Sequence, residues 1–211
     1  MTNWLVSPFT DLMDNDTATE ILEATYKAIC QHGYADLSLS DIADETDRSK
    51  ATIHYYYDSK ENLFSEFLDF LYDRYTEQLT PVEGSTPREH LFTFLETVLS
   101  DEHTAPGQEF RTAMLEVKAQ APYDDTIRTQ LVKFDEFLFE QLRDIITAGI
   151  ASGEFDDTVE PTVAAEFLVT AVTGAHTRRV AVDHSTDRLL RAMRWYIETH
   201  IVDERQSEDD P

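Results

Sequence analysis

Cysteine, glycine, proline and lysine are all scarce in this 211-residue chain: one Cys, six Gly, seven Pro, and Lys only at 27, 50, 60, 118 and 133. The single Cys30 excludes a disulfide framework or a multi-cysteine metal site. It falls on an apolar helix face and is expected to pack rather than to sense oxidants. So little Gly and Pro excludes collagen-like and linker-rich chains. No run approaches the roughly 18 apolar residues that span a bilayer. The N-terminus also lacks the basic-then-apolar order of a signal peptide, so the expected location is the cytoplasm, with no membrane partner. Positive charge is short as well, 17 Lys+Arg facing 42 Asp+Glu for a net charge of −25. Residues 1–63 hold 4 basic and 12 acidic side chains, and residues 64–211 hold 13 and 30, so neither part is basic. Acidity spread over the whole chain points to the proteome of a salt-accumulating organism, a halophilic archaeon by inference.

Catalytic signatures are missing too. There is no HExxH, G-x-S-x-G, P-loop or paired CxxC, and the seven His are scattered without ligand spacing. The expectation is a chain that is not an enzyme and carries no metal or cofactor. What the chain has is 41% hydrophobic residues in helical patterns, enough for a full core.

Residues 38–63 carry the most information. They read as two short helices joined by a tight turn, with a third helix following at once. Ser40 is expected to cap the first, which points Ile42 and Ala43 inward. Asp47 and Arg48 make the turn. Ser49 caps the second, with Thr52 at N3 and Ile53 and Tyr56 on its buried side, leaving Lys50, Thr52, His54 and Tyr55 for a groove. This is a helix-turn-helix, and the pattern points to DNA reading.

The stretch resembles the TetR family of transcriptional regulators. The resemblance rests on Ser38-Leu39-Ser40-Asp41-Ile42-Ala43, on Ser49-Lys50-Ala51-Thr52-Ile53-His54-Tyr55-Tyr56-Tyr57 and on Ser59-Lys60-Glu61-Asn62-Leu63. It is close over about 50 residues from Thr17 and holds elsewhere only by helix order. Asp47 and Arg48 depart from the usual Gly and apolar residue of the turn, and His54 stands where Tyr is common. The resemblance implies a homodimeric regulator, most often a repressor, that binds a double-stranded DNA operator and is released by a small-molecule effector. The candidate DNA-binding set is Ser38, Ser40, Arg48, Ser49, Lys50, Ala51, Thr52, His54, Tyr55, Tyr56 and Lys60. In molar salt the counterion-release contribution to DNA affinity largely vanishes, which leaves Arg48, Lys50 and Lys60 as the cations of interest.

The expected fold is all-α, with about nine helices. An N-terminal extension (1–16) with Trp4, Phe9 and Leu12 is expected to pack on the domain, because it lacks the bases of a minor-groove arm. A DNA-binding domain (17–63), a ligand-binding and dimerisation domain (64–203) and an acidic tail (204–211) follow. Thr17 with Glu20 suggests a capping box for the first helix, which Gly33 ends. A connector helix runs over 59–79. Thr86-Pro87-Arg88-Glu89 starts another. Further helices are predicted at about 107–120, 123–151, 161–180 and 186–202, with Gly149 and Gly153 ending the long one.

Similar proteins hold an inducer among the helices that here carry Phe67, Leu71, Phe94, Phe110, Met114, Phe134 and Phe137, so these are the candidate ligand residues. The expected effector is fatty acyl or aromatic. His90, His103, Arg111, Lys118 and His176 are possible polar anchors, though rings at helical spacing more often fill a core than line a pocket. The last two helices are apolar over more than one stripe, and the family implies a four-helix dimer interface there, with Leu168, Val172, Leu190, Met193 and Ile197 as candidates. The competing hypothesis is a helical ligand-binding or adaptor protein whose helix-turn-helix no longer binds DNA.

Overall fold

A computed structural model describes residues 17–79, 86–99 and 108–202. Among these residues nine helices form: α1 (Thr17–His32), α2 (Leu39–Asp44), α3 (Lys50–Tyr56), α4 (Lys60–Gln78), α5 (Pro87–Leu99), α6 (Gln108–Gln120), α7 (Asp125–Ser152), α8 (Pro161–Val182) and α9 (Thr186–His200). The all-α expectation holds. The N-terminal extension, the tail from 204 and His103 lie outside the described residues.

Local chemistry sets most of the helix ends. Thr86 and Glu89 form the expected reciprocal cap of α5: the Glu89 N–H donates to Thr86 Oγ1 at 3.2 Å, and the Thr86 N–H donates to Glu89 Oε2 at 3.1 Å. Gly33 and Gly153 end α1 and α7 with φ of +73° and +79°, a region open to glycine at no steric cost. Gly149, expected beside Gly153 as a terminator, lies inside α7. It is there because the fully buried ring of Phe155 rests on its backbone, where a Cβ would meet Phe155 Cδ2 at 2.2 Å.

By packing, the chain forms two compact units. The first holds α1 to α3, α4 as far as Tyr75, α6, and α7 as far as Lys133. Its core joins Ile21, Ala28 and Ile29 of α1 to Ile42, Ile53, Phe64, Phe67, Leu68 and Val117. The helix-turn-helix thus shares one core with α4 and α6, whereas the boundary expected at residue 63 divides the chain by motif. The second unit holds α5, the remainder of α7, α8 and α9, with Leu91, Leu95, Leu142, Ile146, Leu168 and Ile197 buried in it.

Leu168, Val172, Met193 and Ile197, expected to face a second copy, are buried within the single chain, and Leu190 is half-buried. Helix α8 is apolar on more than one side, so sequence periodicity does not distinguish its inner from its outer face. The outward rings are Phe167, 48% exposed, and Trp195, 65% exposed; Phe167 also meets Tyr196 at 4.8 Å between centroids.

Candidate nucleic-acid interface

Helix α3 has one buried residue, Ile53, and α2 also has one, Ile42. Two short helices with a single anchor each cannot order themselves in isolation, so their placement depends on caps and tethers. Ser49 caps α3 as expected, accepting from the Thr52 N–H at 3.1 Å. The cap of α2 is Ser38, not Ser40. The reason is Asp41, three residues on, which closes a reciprocal box: Asp41 Oδ2 accepts from the Ser38 N–H at 2.8 Å and from its hydroxyl at 2.6 Å. These bonds, the hydroxyl's first, hold the Asp41 carboxyl below the usual carboxylate range. Ser40 sits in the first turn of α2, and the Ser38 hydroxyl is committed to the cap.

The exposed side of α3 presents Lys50, Ala51, His54, Tyr55 and Tyr56, with Thr52 half-buried. Tyr55 is 84% exposed and meets Tyr56 edge-on at 5.4 Å. Tyr56, expected on the buried side, is instead 43% exposed, and the buried ring is Tyr57. Tyr57 ends α3, and its hydroxyl donates to the Ala18 carbonyl at 3.4 Å. Tyr57 lies four residues beyond Ile53, and its N–H still donates to the Ile53 carbonyl, so its ring falls on the same inner face while Tyr56 is turned outward.

Of the three cations of interest, Arg48 is already engaged. Its Nε and Nη2 donate to Glu20 Oε2 at 2.8 and 2.7 Å, tying the turn to α1. The ion pair engages the Glu20 carboxylate that was expected to cap α1. Lys60 is half-buried, 3.5 Å from the Tyr34 carbonyl and 5.3 Å over the Tyr34 ring. Lys50 is exposed and without a hydrogen bond or ion pair among the described residues.

A shallow groove of about 470 Å³ beside the turn is lined by Glu20, Glu23, Lys27, Asp44, Glu45, Thr46, Asp47 and Arg48. Its five carboxylates outnumber Lys27 and Arg48 and make this flank unfavourable for phosphate.

The candidate ligand residues are divided between the two units. Phe67 and Phe110 are buried in the core of the first, Phe110 stacking on Tyr26 at 4.8 Å, and Leu71 and Met114 pack against that core. In the second, Phe94 is buried while Phe134 and Phe137 are half-buried. Cys30 is half-buried beside Tyr26, and burial pushes its thiol up to about 11, as expected for a packed rather than a reactive cysteine. Among the described residues no helix is long and apolar enough to cross a membrane.

Missed from the sequence were the tethers that come from outside the motif, Glu20 on Arg48 and Glu116 on the Tyr34 backbone. Neither has a sequence signal, because a carboxylate's partner many residues away is not encoded in local spacing.

Residues 21–67 match the bacterial regulatory proteins of the tetR family, and residues 87–202 match the C-terminal part of BetI-type transcriptional repressors. A TetR transcription regulator from Haloarcula marismortui is 33% identical, with a TM-score of 0.80 over 87% of this chain and 97% of that one. A putative transcriptional regulator from Saccharomonospora viridis, solved in complex with choline, shares the fold at 24% identity and a TM-score of 0.74, over 89% of this chain and 98% of that one. The HTH-type transcriptional regulator QacR of Staphylococcus aureus is 24% identical over 166 residues, 76% of this chain and 87% of QacR. With an N-terminal match over the helix-turn-helix and a C-terminal match spanning more than half the chain, this protein belongs to the TetR family of transcriptional regulators.

Proposed function

We propose that the protein is a homodimeric repressor that reads an inverted-repeat operator with α3 and leaves it when a small molecule binds. The observation that carries this reading is α3 itself. A seven-residue helix that buries only Ile53 and holds Tyr55 at 84% exposure gains little from its own core. Its rings, Lys50 and hydroxyls have the form that a major groove takes. Lys50, Ala51, Thr52, His54, Tyr55 and Tyr56 are the candidates for base contact, with Ser40 and Lys60 toward the backbone. Outward Phe167 and Trp195, with half-buried Tyr196, are the surface for a second copy. The net charge of −25 and the likeness to the Haloarcula marismortui regulator support a salt-accumulating host.

The effector is a small, mostly apolar molecule of fatty acyl or aromatic kind, and the half-buried Phe134 and Phe137 are its candidate contacts. A quaternary ammonium is the second reading, favoured by the choline complex of the Saccharomonospora viridis protein and by the attraction of cations to ring faces. A gel shift on the promoters of the protein's own and neighbouring genes, in molar KCl, tests the main claim. Retardation of one inverted repeat over random DNA is expected, and added effector should weaken it roughly 5- to 150-fold. Equal affinity for every fragment would leave a helical ligand-binding or adaptor protein as the better account.

A further inference from the structure

Helix α1 ends at Gly33 in a left-handed turn, and the two N–H groups that follow point the same way. Both meet one oxygen of α6: Glu116 Oε2 accepts from the Tyr34 N–H at 2.8 Å and from the Ala35 N–H at 3.4 Å. Consecutive backbone N–H groups after a left-handed residue form an anion-binding concavity, and here the protein fills it with its own carboxylate. The fit is tight, since a Cβ on Gly33 would come within 2.9 Å of that same oxygen. On its other side Tyr34 packs on α4, with the Phe64 ring against its own at 4.6 Å. Ser38, which starts α2, lies only a short step beyond. Because α2 and α3 each bury a single side chain, the angle of the reading helix depends on where this junction is held.

We propose that Glu116 is a positioning residue for DNA reading: by seating the Gly33–Ala35 turn on α6, it sets the orientation of α2 and α3. The proposal rests on α3 being the DNA reader. Charge-assisted hydrogen bonds to backbone N–H groups are strong enough for their loss to matter at this scale.

The test compares Glu116→Ala with Glu116→Gln, which keeps an acceptor oxygen and the side-chain volume. Two readouts are taken on the full chain in molar KCl: the ratio of operator to random-DNA affinity, and amide hydrogen exchange. Glu116→Ala is expected to lower the affinity ratio roughly tenfold and to speed exchange across residues 34–56 while α8 and α9 stay protected; Glu116→Gln should recover most of both. A lower melting temperature with an unchanged ratio, measured where both variants are fully folded, would reduce Glu116 to a structural residue and overturn the proposal. If the native protein shows no DNA preference at all, the reading of α3 fails and exchange alone decides: unchanged protection over 34–56 in Glu116→Ala overturns the clamp, and selective loss there supports it.

Discussion

Lys50 stands in solvent on the first turn of α3 without a partner among the described residues, whereas Lys60 lies against Tyr34 at the start of α4. Both lysines open their helices, so the division rests on exposure: Lys50, free on the outward side of α3, is placed for base edges, and Lys60, lying back over Tyr34, is placed for the phosphate backbone. Lys50→Ala is therefore expected to cost about 1–3 kcal/mol on the operator and to flatten preference at a single base pair. Lys60→Ala should weaken operator and random DNA alike, because its bond to the Tyr34 carbonyl is at the outer limit of length and adds little to the turn. Binding isotherms on the operator, on single-base variants and on random DNA check both. Equal losses on all three for both substitutions would remove the division of roles. Arg48 does not join this group, since its guanidinium is held by Glu20.

At the scale of the element, α7 contains a glycine whose absence of side chain is used for packing. Ordinarily Gly→Ala within a helix gains roughly 1 kcal/mol from propensity. At Gly149 the new methyl would collide with Phe155, which is fully buried and cannot retreat without opening the second unit's core. Overpacking of this kind costs about 1–3 kcal/mol, so Gly149→Ala is expected to destabilise on balance. Combining it with Phe155→Leu should recover part of the loss. Urea denaturation of the two single variants and the pair measures the coupling, and simple additivity would show that the two residues do not share the space. The terminators were legible in part: Gly153 ends α7 as its spacing suggests, while Gly149 reads identically in sequence and does something else.

For the whole molecule, the question is what covers the outward rings of α8 and α9. Phe167 and Trp195 are exposed in a chain of net charge −25, and at high salt the burial of such apolar groups is favoured further. Phe167→Asp with Trp195→Asp is expected to shift sedimentation from dimer to monomer at micromolar concentration in molar KCl, without loss of helical content. Leu168→Asp should instead unfold the second unit, because Leu168 is buried within the single chain. A double variant that remained dimeric would move the interface elsewhere.

What the sequence determined on its own was whatever depends on neighbours within one helical turn. The helices among the described residues, the Ser49 cap, the Thr86–Glu89 box and the exposed lysine of α3 follow from spacings of three or four residues, where the interacting groups are fixed by helix geometry alone. Ser38 belongs with them, since Asp41 three residues on was the signal that favours it over Ser40. Tertiary structure decided the rest. Glu20 reaching Arg48 and Glu116 reaching the turn at Gly33 join residues 28 and 82 positions apart, whose approach depends on how whole helices pack. The inner face of α8 was likewise settled only by its partners, because a helix apolar on more than one side offers the core several equivalent choices until neighbouring helices occupy one of them.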